Sequence, residues 1–103
     1  MSKRFTLRYL PLFEQDLTAA RNYIALNLRN PTAALRLVED TERVILKRLE
    51  NPLGFVPYRS IRDRKQPYYR INIRNFVVFY VVIEDVMEVR RFVYSRRNFP
   101  GIV

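Results

Sequence analysis

Apolar and polar residues alternate at the start of the chain. Phe5, Leu7 and Tyr9 interleave with Thr6, Arg8 and Leu10, the period of a short half-buried strand. Pro11 cannot continue a strand ladder but suits a first helical turn, and Glu14 and Asp16 lie near the positive end of the helix dipole. From there Phe13, Leu17, Ala20, Ile24 and Leu28 recur every three or four residues, predicting an amphipathic helix over residues 12–28. Asn30-Pro31 ends that helix and starts another, with Asn30 as N-cap and Pro31 in the first helical position. Its stripe is Ala34, Val38, Thr41, Ile45 and Leu49, widened by Leu37 and Val44, and it stops at Asn51-Pro52-Leu53-Gly54. So short a break between long helices predicts an antiparallel hairpin. Leu35 and Leu46 fall off the stripe and are expected to pack on the first helix, the alternative being a partner-binding groove.

After a connecting loop over residues 54–66 the period changes from helical to strand-like. Tyr69, Ile71 and Ile73 alternate with Tyr68, Arg70, Asn72 and Arg74, giving one apolar and one cation-rich face. Asn75 turns the chain into residues 76–83, an unbroken apolar run suited to a central strand covered on both sides. Glu84-Asp85 makes the next turn. Over residues 86–94, strict alternation puts Val89, Arg91 and Val93 on one face and Glu88, Arg90, Phe92 and Tyr94 on the other. The order is β-α-α-β-β-β: an α+β fold whose antiparallel sheet packs against an N-terminal helical hairpin. Residues 1–103 are expected to form a single domain.

Composition narrows the chemistry. There is no cysteine and no histidine, which removes thiolate catalysis, Ser-His-Asp hydrolysis and the commonest metal ligands; neither a metal nor a cofactor is expected. Acid–base work would fall to a carboxylate, lysine or tyrosine with a shifted pKa. No apolar run reaches the roughly 18 residues that a membrane span needs. The N-terminal residues 1–13 lack an unbroken apolar core and a small-residue cleavage site, so the chain is read as mature and cytoplasmic, without a membrane partner. The net charge of +9 is uneven: residues 59–103 carry ten Lys/Arg against four Asp/Glu, whereas residues 1–58 carry nine against six. Such a field favours nucleic acid or an acidic protein.

These segments resemble the RelE/ParE superfamily of type II toxin–antitoxin toxins over nearly the whole chain. The resemblance rests on Asp16-Leu17 followed by Asn22-Tyr23-Ile24 in the first helix, and on Tyr69-Arg70-Ile71 and Phe76-Val77-Val78-Phe79-Tyr80 in the sheet. It continues through Val89-Arg90-Arg91-Phe92-Val93-Tyr94 and Ser95-Arg96-Arg97-Asn98. It implies a growth-inhibiting toxin of a plasmid-stabilisation module, silenced by a short acidic antitoxin whose C-terminal segment wraps the helices and sheet. The complex would bind operator DNA through the antitoxin. RelE-like members cleave mRNA in the ribosomal A site without a metal; ParE-like members poison DNA gyrase.

The nuclease mechanism can be compared residue by residue. Arg70 and Arg97 stand where that branch carries cations, and would be the catalytic residues if the protein is an RNase. Asn72 replaces a second basic residue, and Val77 stands where the phosphate-binding arginine belongs. Losing one preorganised donor to a transition state costs about two to three orders of magnitude in rate. The resemblance therefore favours ParE-like inhibition of gyrase over the mRNA endoribonuclease. Arg70, Arg74, Arg96, Arg97 and Tyr94 are the expected target-binding residues, although Arg70 and Arg74 would equally guard an edge strand. Arg91, beside Val89 and Val93, is expected to be half-buried and paired with Asp16 or Glu14. Tyr68 is a candidate for base stacking, Tyr69 for the core, and residues 99–103 form an apolar tail that packs on the domain or takes part in binding.

Overall fold

A computed structural model describes residues 4–58 and 66–96. Strand β1 (Thr6–Tyr9) leads into helix α1 (Pro11–Asn22) and a π-helical segment (Tyr23–Asn27); helix α2 (Pro31–Arg48) follows. Strands β2 (Tyr69–Ile73), β3 (Phe76–Ile83) and β4 (Val86–Tyr94) complete an α+β fold. The sheet order is β1-β4-β3-β2. The last three strands form the expected antiparallel meander, while β1 joins the opposite side of β4 in parallel. The sheet is therefore mixed. Among the described residues, no helix is long and apolar enough to cross a membrane.

The first helix is not uniformly α-helical to Leu28. The Leu28 amide reaches back to the Tyr23 carbonyl at 3.1 Å, a π-type bond, and Arg29 takes φ 52° before Asn30 restarts the chain. The wider turn rotates the stripe out of phase, so Ile24 still packs on the core whereas Tyr23, Leu26 and Leu28 face solvent. The Asn30 side chain caps α2 by accepting from the Ala33 amide at 3.1 Å, and Pro31 follows. Leu35 and Leu46 do not pack on α1. Both are more than half exposed, because they point away from the face that buries Ala34, Leu37, Thr41 and Ile45.

One apolar cluster joins Phe13, Leu37 and Ile45 of the helices to Tyr69, Ile71, Val78, Tyr80, Met87, Val89 and Phe92 of the sheet. A second cluster of Tyr68, Val77, Phe79, Val81 and Val93 lies on the other face, so β3 is buried on both sides. Residue Val93 sits opposite Val89, not beside it. A β-bulge explains this: Tyr80 pairs Val89 while Phe79 pairs Arg91, leaving Arg90 as an extra residue and reversing the phase of the strand beyond it.

The hydroxyl of Thr41 is fully buried and has no hydrogen-bond partner among the described residues. An unsatisfied buried hydroxyl costs roughly 1–3 kcal/mol. Replacing Thr41 by Val keeps the shape and removes the orphan, so Thr41→Val is expected to raise stability by about 1 kcal/mol in a denaturant titration with an unchanged m-value.

Candidate functional site

The face of the sheet away from the helices carries most of the strand cations. β-pairing places Arg70 opposite Phe79, and Glu88 between Val81 and Arg8. Each of these positions belongs to the row that holds the second apolar cluster. Around that apolar floor, Arg8, Arg70 and Arg90 form the rim.

Glu88 is the fixed charge of this face. It is 5% exposed, and its two oxygens accept from Arg8 Nη1 and Arg90 Nε, each at 2.8 Å. Arg90 also reaches the Tyr68 hydroxyl at 3.3 Å and lies over its ring. A carboxylate held between two guanidiniums ties β1 to β4 and offsets one of their two positive charges. None of the ion pairs among the described residues includes Arg70, and the Arg70 guanidinium lies 5.6 Å from the centre of the Tyr58 ring.

Behind Arg70, a second arginine holds the strand. Arg48, the last residue of α2, donates from Nη1 to the Tyr80 hydroxyl at 2.9 Å and to the Arg70 carbonyl at 3.3 Å. Its guanidinium carbon lies over the Phe55 ring, 3.5 Å from the ring centre. The Tyr80 hydroxyl in turn donates to the Pro52 carbonyl at 2.7 Å. Burial raises the Tyr80 phenol above its ordinary pKa, against the opposing hydrogen bond and charge of Arg48.

The other expected site residues are scattered by the fold. Arg74 does not share the face of Arg70. It occupies the β2–β3 turn with φ 52° and pairs with Asp40 of α2, which also takes Arg43. Leaving the strand ladder at Ile73 ends the alternation that the sequence pattern extends to Arg74. Tyr94 is 41% exposed and meets Phe76 edge-on at the far end of β4. It borders a cleft of about 690 Å³ between the first helix and the sheet, lined by Ala20, Tyr23, Leu28, Phe76 and Phe92 among others. Arg96 is exposed just past β4. Arg97 and the 99–103 tail lie outside the described residues. Tyr68, a stacking candidate in the sequence, is buried in the second cluster beside Phe79.

Arg91 faces α1. Asp16 Oδ2 accepts from Arg91 Nε at 2.7 Å and from the Phe92 amide at 3.0 Å, and Asp16 Oδ1 accepts from Arg91 Nη2 at 3.2 Å. That carboxylate therefore anchors the helix to the strand just past the bulge. Sequence reasoning passed over Arg48, Arg8 and the Glu88–Arg90 pair. Glu88 and Arg90 sit two apart on a strand and so share a face, a legible signal; the approach of Arg48 to β2 is long-range and leaves no local pattern.

Residues 7–99 match the family model described as ParE toxin of type II toxin–antitoxin system, parDE. No curated protein sequence matches the chain. Among solved structures, a chain of the chromosomal ParDE TA system from P. aeruginosa superposes with a TM-score of 0.68 at 18% sequence identity, covering 90% of this chain and 98% of that one.

Proposed function

The chain belongs to the ParE toxin family of type II toxin–antitoxin systems, and from that premise we propose that it arrests growth by binding and inhibiting DNA gyrase. The observation that carries this target over the ribosome is Val77. At the position where the nuclease branch needs a phosphate-binding cation, this chain has an apolar side chain, 2% exposed, between Asn72 and Val93. Arg70 and Arg96 are the proposed target contacts, and neither belongs to an ion pair among the described residues.

A cognate antitoxin, short and acidic, completes the proposal. Complementarity to a +9 chain supports its charge. Leu12, Tyr23, Leu26, Leu28, Leu35 and Leu46, all exposed on the helical layer, give it apolar surface to cover. In this reading the antitoxin also supplies the operator-DNA contacts of the complex.

The test sets purified protein against gyrase supercoiling and cleavage-complex formation, in parallel with mRNA cleavage on programmed ribosomes. Inhibited supercoiling with intact mRNA is expected. Arg70→Ala should weaken gyrase inhibition at least about tenfold if Arg70 is a principal contact. Cut mRNA with gyrase untouched would overturn the assignment.

A further inference from the structure

Arg70 reaches its target, in the reading above, from an edge strand, and an edge strand has neighbours on one side only. Ladder bonds to β3 hold β2 from within the sheet. On the outer side the Arg70 carbonyl is met by Arg48. The same guanidinium contacts two other parts of the fold: the Tyr80 hydroxyl in the centre of the sheet, and the Phe55 ring in the segment after α2. That segment is fastened twice more, by the Tyr80–Pro52 hydrogen bond and by the Tyr58 amide donating to the Tyr68 carbonyl at 2.6 Å. Its far end carries Tyr58, whose ring packs edge-on against Phe79 and lies beneath the Arg70 guanidinium.

We propose that Arg48 is a positioning residue for Arg70, acting through both the backbone and the side chain of that arginine; this rests on the assignment of Arg70 as a target contact. The chemistry requires arginine. A planar guanidinium can stack on Phe55 while its edge N–H groups donate to a phenol and a carbonyl, which a lysine ammonium cannot reproduce. A long cationic side chain on a bare strand would otherwise sample many rotamers, and ordering it at the moment of binding lowers affinity. Arg48 removes part of that ordering from the binding step. It is a support and touches no target itself.

A double-mutant cycle with an NMR readout decides the matter. Arg48→Met keeps the apolar stem and removes the donors; Arg48→Lys keeps the charge and loses the planar group over Phe55. In otherwise native protein, Arg48→Met is expected to weaken gyrase inhibition about tenfold, and in an Arg70→Ala background to have no further effect. Arg48→Lys should fail to restore inhibition. Side-chain Nε–Hε relaxation of Arg70 should show an ordered group in the native chain and an averaged one in Arg48→Met. Equal losses from Arg48→Met in both backgrounds would sink the proposal, as would an Arg70 signal indifferent to Arg48. If the native protein leaves gyrase untouched, the target assignment falls by itself, and the relaxation measurement still decides whether Arg48 orders Arg70. Should Arg48→Met fail to fold, Phe55→Leu removes the stack alone and must loosen Arg70 in the same relaxation measurement.

Discussion

Replacing Asp16 by Ala should cost about 2–4 kcal/mol of stability. The Asp16 carboxylate satisfies three donors at once, two on Arg91 and the Phe92 amide, at a site where the paired side chains are 15% and 18% exposed. Removing it leaves a half-buried guanidinium without its counter-charge and a backbone N–H of a 3%-exposed residue without an acceptor. Both penalties are desolvation costs of orphaned groups, so they exceed the net worth of the contacts themselves. Against a total stability of roughly 5–15 kcal/mol this is a large share. Asp16→Asn, which keeps one acceptor oxygen, should lose less. Arg91→Met combined with Asp16→Ala should recover part of the loss, because no unpaired charge remains, although the Phe92 amide stays orphaned. Urea midpoints for the three variants check the ranking; an Asp16→Ala midpoint equal to the native one would remove Asp16 as the anchor between helix and sheet.

The same residue shows what the sequence could and could not disclose. The period-2 and period-3.6 stretches suffice to place every strand and helix in order, because burial imposes those periods locally. The Arg91–carboxylate pair was also legible, since an arginine amid valines needs a counter-charge. The bulge was not. An extra residue in a strand leaves no mark in a run such as Val89 to Tyr94, where apolar and charged side chains fit either phase, and the error propagates to Phe92 and Val93. Parallel pairing of β1 with β4 joins positions about eighty residues apart, as in the Thr6–Val86 register, and no local period encodes a partner. Arg74 misled for another reason: a non-glycine residue at φ 52° is uncommon enough that the strand pattern was extended through it. Within the candidate site the exposed position of Arg70 on its strand was legible from the alternation. Its supports Arg48 and Tyr58 come from other segments, and only the folded chain brings them together.

Installing the missing cation at Val77 should unfold the protein before it makes a nuclease. Val77 is 2% exposed, on a strand flanked by β2 and β4, its cluster of Tyr68, Phe79, Val81 and Val93 is uncharged, and the buried carboxylate of this face, Glu88, is already held by Arg8 and Arg90. An arginine there must either bury an unpaired charge or thread its stem out past Asn72, displacing packed rings on the way. The expected cost of Val77→Arg is about 3–5 kcal/mol, at the extreme end for a single substitution. Asn72 is the contrast. It is exposed on the edge strand, so Asn72→Arg supplies the other absent cation at a cost within about 0.5 kcal/mol. Val77→Ile, which adds one methylene and no charge, should cost at most about 1–3 kcal/mol through overpacking. Thermal melts of the three variants give the order Asn72→Arg, Val77→Ile, Val77→Arg from most to least stable. A folded Asn72→Arg/Val77→Arg protein that cleaves mRNA on the ribosome would reverse the argument, because the face would then accept the nuclease cations and the valine would be incidental. Loss of folding in Val77→Arg alone, with Asn72→Arg native-like, is what a face built around an apolar centre requires.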